Sequence, residues 1–404
     1  MNQPMIGTNT GALRGLRVLD LSRFIAGPHC AMQLGDLGAD VVKVERRKSG
    51  DDTRQVFPQI EGESLYFMIF NRNKRSLTLD FRNPEAQELL RELIKEADVL
   101  VENFRPGTME RMGCSWDEVH RLNPRLIMAR ISGYGQTGSM AAEPCFDGIA
   151  QANSGLMSIT GYADGAPTVA GSFVVDYATA LYTTIGIMGA LQQRHQTGLG
   201  QLVDVSLMGA ATSLLMTAIP EQLLLDQTMP RCGNQDRYSA PANVFKTADG
   251  KWLYMISGND ALFPRLAKIM GREDLLQDER FSTLRARLAN RDAIESIVAD
   301  WALNHPSTEI MAKLSQAEIP GSIVATLQDV ARNDYLREAE HIVTVDHPVV
   351  GAFPMQGMPI RLSESPGSIR HAAPTLGQHS REVLREWLGK SDGQIQAMEN
   401  AAVI

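Results

Sequence analysis

The chain is poor in cysteine and has no concentrated run of positive charge. Its four cysteines form no CxxC pair and are too few to cross-link 404 residues; they are Cys30, Cys114, Cys145 and Cys232. The net charge of -8 argues against nucleic acid or an anionic membrane surface as the main partner. We therefore expect a protein of the reducing cytoplasm that does not bind nucleic acid.

Several motifs of common enzyme classes are also absent from the sequence. No GxGxxG follows the first predicted strand, and neither GxxxxGK[ST] nor GxSxG occurs, which disfavours dinucleotide, P-loop and α/β-hydrolase chemistry. No HxxxH, HExxH or Cys/His cluster has the spacing of metal ligands, so we expect no metal. The first residues lack the pattern of a signal peptide, and no run approaches the roughly 18 apolar residues of a membrane span.

What the sequence does have is an alternation of β-branched runs and helical patterns, typical of a parallel sheet. Helices are predicted between the strands, one beginning at Pro84 after a cap at Asn83 and one at Ser115 with Glu118 completing a capping box. The pattern predicts an α/β, doubly wound, Rossmann-like large domain. The predicted strands are LRVLDL (16–21), VVKVE (41–45), SLTLD (76–80), DVLVE (98–102), RLIMARIS (125–132) and QLVDVSL (201–207).

The pattern changes after an apolar helix predicted from Met208 to Leu225. A turn-rich stretch at 229–245 leads to strands near Val244 and at 252–256, then to helices. Strand-like pieces at 341–345 and 359–362 and a helix at 380–388 follow. We predict a large domain in residues 1–205, a linker helix and crossing segment in 206–240, a smaller α+β domain in 241–330, and a return to the large domain in 331–404.

Asp176 is the most unusual residue of the sequence, because the stretch around it, VAGSFVVDYATALYTTIGIMGAL, carries no other charge. A carboxylate at the start of a helix is often only a cap. The functional alternative is a desolvated nucleophile or acid. The pattern alone does not choose between them.

Cationic and amide side chains follow several of the predicted strands or begin helices. The carboxyl ends of strands in a doubly wound sheet are where ligands bind, and Arg or Lys there suits phosphate groups. Each of these residues taken alone is as well explained by a solvated rim of the surface. The set is Arg46, Asn71 to Arg75, Asn103, Arg105 and Arg111.

Long motifs in the same order resemble the class III CoA-transferases, also known as the CaiB/BaiF family, which includes formyl-CoA and carnitine CoA-transferases and is related to α-methylacyl-CoA racemase. The resemblance covers nearly the whole chain. Its motifs are GLRVLDLSRFIAGPHCAMQLGDLGADVVKVER, GDDTR, LYFMIFNRNKRSLTLD, VENFRPGTMERMG, ISGYGQTG, SGLMSITG, the stretch around Asp176 and RHQTGLGQLVDVSLM.

The resemblance implies a large α/β domain built from both chain ends, a small domain between them and an interlocked homodimer. It implies that Asp176 is catalytic and that coenzyme A is bound as a substrate thioester. Arg46, Arg105 and Arg111 would pair with its phosphates. The CoA contacts implied are Phe24, Arg46, Lys74, Arg75, Asn103, Phe104, Arg105, Arg111 and Tyr134.

The implied reaction moves CoA from an acyl-CoA to a free carboxylic acid through an aspartyl anhydride and an aspartyl-CoA thioester. Each step needs oxyanion donors, which we expect among the backbone N–H groups near the start of the Asp176 helix. Compared with the formyl-CoA transferases, the chain lacks a tryptophan after GDDTR and their long glycine-rich loop, and this difference disfavours oxalate. The stretch FDGIAQANSGLMSITG resembles family members that act on succinate or other dicarboxylates.

Two other functions remain open at this stage. A 2-methylacyl-CoA racemase would use an aspartate at the same place but needs a second acid/base, a histidine in a Gly-His-Asp motif, where this chain reads Cys145-Phe146-Asp147. A catalytically silent acyl-CoA-binding subunit is the other function, and the presence of Asp176 in its motif speaks against it.

Overall fold

Short runs of branched apolar residues build the central sheet, in a computed structural model that describes residues 10–404. Six strands are parallel and lie in the order β5-β2-β1-β6-β7-β8, so the order reverses between β1 and β6. This is the doubly wound order that the sequence predicts. The strands, with a small hairpin of β3 and β4, are β1 Arg17–Asp20, β2 Asp40–Arg46, β3 Gln59–Ile60, β4 Glu63–Ser64, β5 Lys74–Leu79, β6 Val99–Glu102, β7 Ile127–Ser132 and β8 Leu202–Ser206.

Helices cover both faces of this sheet. Asn83 caps α3 by accepting a hydrogen bond from the Glu85 N–H, and Ser115 and Glu118 form the capping box of α5, so both predicted helix starts are confirmed. The helices of this part are α1 Ala26–Asp36, α2 Leu65–Phe70, α3 Pro84–Glu96, α4 Thr108–Arg111, α5 Trp116–Leu122, α6 Asp147–Ser154, α7 Val174–Thr197 and α8 Leu207–Ser213.

A second set of elements surrounds an antiparallel sheet of three strands in the order β11-β10-β9. Its own apolar core contains Phe245, Leu253, Val298 and Leu314. Its elements are α9 Ala218–Leu225, β9 Ala242–Lys246, β10 Trp252–Ile256, α10 Phe263–Met270, α11 Leu284–Ala289, α12 Arg291–Leu303, α13 Ser307–Gln316, β11 Gly321–Ile323 and α14 Leu327–Ala331.

The last part of the chain packs on the parallel sheet again. Val383, Leu384 and Trp387 of the penultimate helix join the same core as Leu77 and Leu90, and the Asp80 N–H donates to the Val403 carbonyl over 2.9 Å. The elements are α15 Asp334–Glu338, β12 Ile342–His347, β13 Gly351–Gln356, α16 Ser380–Leu388 and α17 Asp392–Asn400.

The chain forms two compact units. The first contains the described residues up to Leu156, Ala170–Met216 and Asp334–Ile404; the second contains Met157–Val169 and Thr217–Asn333. This division differs from the predicted ranges: residues 206–216, predicted as part of the linker, lie in the first unit, whereas 157–169, 217–240 and 331–333 lie in the second. Residues 157–169 join the second unit because Arg231 donates to the Tyr162 and Gly165 carbonyls. Helix α9 joins it as well, through an ion pair of Glu221 with Arg237.

Two local predictions are wrong. The apolar helix expected from Met208 to Leu225 is interrupted at residues 214–217, where Met216 has a left-handed backbone with a φ of 51°. The expected strand at 359–362 is absent, because β12 pairs instead with β13 after a turn at residues 348–350, and Gly351, which follows the turn, has a φ of 75°.

One helix, α7, is long and apolar enough to cross a membrane by length and composition alone, which the sequence analysis did not expect. In the structure 44% of its most apolar window is buried against other parts of the chain. Ala180, Ile187 and Leu191 of this helix belong to the core between α1 and the sheet. A core helix passes the same test as a membrane span, and length and composition alone do not distinguish the two.

We expect Leu384→Ala to lower the free energy of unfolding by about 2–5 kcal/mol, because the fully buried side chain leaves a cavity in the core of the first unit. Urea unfolding followed by circular dichroism measures it. The control is Leu199→Ala, which removes a side chain that is 51% exposed and should change stability by less than about 0.5 kcal/mol. Equal losses in the two variants would contradict the placement of α16 in the core.

Candidate active site

A cleft opens where the strand order reverses, at the carboxyl ends of β1 and β6. The loops that leave these two strands diverge, and such a crevice is where doubly wound sheets bind ligands. The structure brings five of the predicted site residues to this cleft. They are Phe24 after β1, Asn103, Phe104 and Arg105 after β6, and Asp176 in the first turn of α7.

Asp147 starts helix α7 from another part of the chain. Its carboxylate accepts hydrogen bonds from the Val175 N–H (2.8 Å) and the Asp176 N–H (3.0 Å), while Phe173, the residue before the helix, provides no side-chain cap. The buried Gln151 amide donates to the other Asp147 oxygen over 2.5 Å and fixes the carboxylate. Asp147 therefore does the capping, and Asp176 does not.

The Asp176 carboxylate has an unusual electrostatic environment. Burial and, as the smaller cause, the nearby charge of Asp147 together raise the pKa of Asp176 from 3.8 to about 7. Within residues 10–404 no hydrogen bond is donated to this carboxylate, although its side chain is half-buried. A carboxylate with a raised pKa and few partners in a cleft is a candidate for chemistry.

Oxyanion donors are not found where the sequence analysis expects them. The first N–H groups of α7 are already used: those of Val175 and Asp176 bind Asp147, and that of Tyr177 donates to the Phe173 carbonyl. Helix α1 differs, because its N-terminal residue Ile25 has no side-chain cap, and Ile25 and Ala26 line the cleft. The start of α1 therefore lies at the cleft without a side-chain cap, whereas the first N–H groups of α7 are already bonded.

The loop after β1 is held in a strained conformation. Phe24 has a φ of 64°, a left-handed backbone that costs a bulky residue about 1–3 kcal/mol. Its ring packs edge-on against Phe146, with the ring centroids 5.5 Å apart. The residue before it, Arg23, is held on both sides by the Asn103 side chain, which accepts from the Arg23 N–H (2.8 Å) and donates to the Arg23 carbonyl (2.7 Å).

Arg46 lies in a second hollow next to the cleft. Arg23 and Phe104 line both spaces, so they are continuous. The Asp52 carboxylate pairs with Arg46 on one oxygen and with Arg23 on the other, at 2.8 Å for Arg23. Two guanidinium groups that share one carboxylate leave a net positive charge there, which suits an anionic ligand.

The other predicted residues lie in different surroundings. Arg111 is exposed on α4 and donates to the Thr108 hydroxyl, and the Tyr134 hydroxyl accepts from the Asn153 amide. Lys74 is fully buried, and its ammonium donates to Asp20, the Pro28 carbonyl and Asn71, each at 2.8 Å. Arg75 pairs with Asp40, Glu382 and Glu386. The structure does not bring Lys74 or Arg75 to the cleft.

Sequence reasoning missed two residues of the site. Arg23 lies in the SRF segment of the first motif, and nothing in the sequence pattern distinguishes it from other surface arginines. That the residue after it has a left-handed backbone is visible only in the structure. Asp147 gave a signal, because it is an acidic residue at the start of an eight-residue helix, but only the fold shows that it serves the start of α7. Within residues 10–404 no group of three or more His, Cys, Asp or Glu side chains is arranged to hold a metal ion.

Comparison with known proteins places these observations in a family. A profile of the family described as CoA-transferase family III matches residues 13–380. The chain is 36% identical to the succinyl-CoA–D-citramalate CoA-transferase of Chloroflexus aurantiacus, over 97% of this chain and 98% of that one. It is 34% identical to the formyl-CoA:oxalate CoA-transferase of a Bradyrhizobium species, over 98% of each chain.

A solved structure has the same fold. The crystal structure of a CAIB/BAIF family protein from Brucella suis is similar with a TM-score of 0.83 and 34% sequence identity, covering 93% of this chain and 99% of that one.

We expect Asp176→Asn to stabilise the protein above pH 7. The folded-state pKa of about 7 lies above the ordinary value of 3.8, so the folded protein loses stability as pH rises from about 4 to about 7. The asparagine variant lacks this loss. A shift of one pKa unit corresponds to about 1.4 kcal/mol, and water partly screens a half-buried group. We therefore expect the free energy of unfolding of the variant to be about 1–2 kcal/mol higher than that of the parent at pH 8.

Urea unfolding at pH 4.5 and pH 8 measures this gain, which should be smaller at the lower pH. Asp300→Asn, at an exposed position in α12, is the matched control and should show no such difference between the two pH values. A variant of Asp176 that is no more stable than the parent at pH 8 would show that the carboxylate is not desolvated.

Proposed function

Because the chain belongs to CoA-transferase family III and is an enzyme of that class, we propose that it transfers CoA between an acyl-CoA thioester and a free carboxylic acid through Asp176. One observation carries the proposal: the Asp176 carboxylate lies in the cleft at the switch point with a raised pKa and no hydrogen-bond donor among the described residues. A carboxylate without such donors keeps its oxygen lone pairs available for attack.

In the proposed first half, a carboxylate oxygen of Asp176 attacks the carbonyl carbon of the donor thioester. The C–S bond breaks, CoA leaves as the thiolate, and an aspartyl anhydride remains. The thiolate then attacks the aspartyl carbonyl, the donor acid leaves as its carboxylate, and the enzyme holds CoA as an aspartyl thioester. An acceptor carboxylate reverses these steps, so no net proton or electron is exchanged.

The tetrahedral intermediates of these steps carry negative charge on oxygen. Backbone N–H groups at the start of α1, near Ala26, are the donors we propose for it, since this helix has no side-chain cap and Ala26 lines the cleft. Anhydrides also hydrolyse readily, so the site must exclude water during turnover. Phe24 and Phe146 supply an apolar wall for that purpose.

CoA is proposed to lie across the cleft and the hollow beside it. Its phosphates would pair with Arg46, Arg105 and Arg111. Its adenosine and pantetheine parts would contact Phe24, Phe104 and Tyr134. Arg23 joins this set, because its guanidinium lies between the two spaces and within 5.4 Å of the Phe104 ring centroid. Lys74 and Arg75 would act only through the structure that they hold.

The acid substrates are proposed to be dicarboxylates such as succinate. The two relatives compared above act, by their names, with succinyl-CoA and D-citramalate in one case and with formyl-CoA and oxalate in the other. Succinate, D-citramalate and oxalate each carry a second carboxylate, whereas formate does not, so the names of these relatives favour a dicarboxylate on at least one side of the exchange. An acceptor screen with succinyl-CoA, acetyl-CoA and a panel of mono- and dicarboxylates tests this assignment.

A cytoplasmic homodimer is proposed, with the interlocked arrangement that the resemblance implies. Its support is an exposed apolar face on α7, where Leu181, Tyr182, Ile185 and Met188 stay 38–64% exposed in the single chain. An apolar face of this kind commonly marks a protein interface. A second copy of the chain would cover this apolar face of α7 and remove it from water, so that no membrane is needed to account for its composition.

Asp176→Ala should lower the rate of CoA transfer by at least about 10⁴-fold and leave the CoA dissociation constant within about threefold, because the side chain carries the acyl group but does not hold the nucleotide. Turnover is followed by chromatography of the CoA esters, and binding by titration calorimetry. Asp300→Ala is the control.

Mass spectrometry of the parent protein, mixed with acyl-CoA and treated with hydroxylamine or borohydride, should show a modification at Asp176. Exchange that proceeds without it would reject the covalent route. Uptake of deuterium at the α-carbon of a 2-methylacyl-CoA in heavy water, without any acceptor acid, would favour the racemase. Failure of the pure protein to exchange CoA with any acid would favour a silent subunit.

Ile185→Glu should convert the dimer to a monomer, since Ile185 is 64% exposed in the single chain and a carboxylate would be desolvated in an apolar interface. Sedimentation velocity measures the change in mass. The exposed residue Leu199 serves as a control outside α7, as Leu199→Glu. A monomeric parent protein at micromolar concentration would contradict the dimer.

A further inference from the structure

Two loops border the cleft, residues 21–25 after β1 and 103–106 after β6, and one side chain joins them. The Asn103 amide oxygen accepts from the Arg23 N–H over 2.8 Å, and its amide nitrogen donates to the Arg23 carbonyl over 2.7 Å. Both ends of this amide are thus engaged with a single backbone unit of the other loop. An amide in such an arrangement replaces the pairing that a neighbouring strand would provide.

Buried charges hold the neighbouring backbone groups of both loops. In the first loop, Asp20 accepts from the Ser22 N–H (2.9 Å) and Lys43 donates to the Ser22 carbonyl (2.8 Å). In the second loop, Glu102 accepts from the Phe104 N–H (2.7 Å). These three charged residues are fully buried, so the packing of the sheet fixes their positions.

Phe24 is the first residue after this held segment and has a left-handed backbone. Its own N–H makes only a long contact of 3.5 Å with Asp51. The unfavourable conformation therefore depends mainly on the fixed position of Arg23. A phenylalanine released from that constraint would return to a negative φ, and its ring would leave Phe146 and the wall of the cleft.

We propose that Asn103 is a positioning residue: by clamping the Arg23 backbone it keeps Phe24 left-handed and so shapes the cleft in which Asp176 lies. It acts on transfer through the loop and does not bind CoA with its side chain. This inference rests on the proposed function, and it replaces the direct contact that the family resemblance implies for Asn103.

A double-mutant cycle separates positioning from direct contact. Asn103→Ala alone should lower kcat/KM by about 10–100-fold, as misplacement of a cleft wall does. Glycine adopts positive φ about as readily as negative φ, so Phe24→Gly removes the strain that the clamp must resist. In the Phe24→Gly background, Asn103→Ala should therefore cost less than about threefold. Independent effects of the two changes on kcat/KM would overturn the proposal.

The matched control is Asn123→Ala. Asn123 is also half-buried, and its amide donates to the Ile94, Lys95 and Ala97 carbonyls away from the cleft. This variant should lose stability without a loss of kcat/KM. If Asn103→Ala fails to fold, Asn103→Asp is the second variant; it keeps the acceptor for the Arg23 N–H and sets a carboxylate oxygen against the Arg23 carbonyl.

A crystal structure of Asn103→Ala, or of the Asp variant, gives a readout that does not need activity. We expect residue 24 to change from a φ near 64° to a negative φ. A retained left-handed Phe24 would overturn the clamp even if activity falls. If the parent protein transfers CoA to no acid, the proposed function fails, and the φ of residue 24 still decides whether Asn103 holds this loop.

Discussion

The carboxylate of Asp147 is the constraint on which the site depends. By accepting the Val175 and Asp176 N–H groups it fixes where α7 begins, and it does so from a separate helix, α6, whose Gln151 side chain holds the carboxylate. Because a neighbour provides the cap, Asp176 is left without that task. Burial raises the pKa of Asp176, and the negative charge of Asp147 adds to that rise, so one residue both places the carboxylate and contributes to its raised pKa.

Charges buried at the edge of the sheet position loops more than they stabilise the fold. Taking Asp20, Lys43 and Lys74 out of water is costly, and ion pairs recover that cost only in part. Their value lies in the backbone groups that they bind, which are those of the loops around the cleft. A rigid edge of this kind lets a ligand meet a preformed surface.

The sequence predicted the parts of the molecule that repeat a local rule. Strand runs, the Asn83 cap and the Ser115 capping box depend on residues close together in the chain, and the structure has them in those places. Contacts between residues far apart in the sequence could not be predicted from it. The Asp147 cap spans 28 residues, and the Arg23 clamp spans 80. Lys74 belongs to a motif that implies a CoA contact, but its ammonium donates to three acceptors inside the protein, and only the packing of the folded chain reveals this.

The way the first unit closes has a consequence for synthesis on the ribosome. Its core takes Leu384 and Val403 from the last part of the chain, and Val403 accepts a hydrogen bond from the Asp80 backbone. Residues 217–333, by contrast, have a core of their own and leave the ribosome earlier. The inserted unit can therefore fold during translation, whereas the core packed on the parallel sheet stays incomplete until Leu384 and Val403 have left the ribosome, and chaperones would meet the first unit in that state.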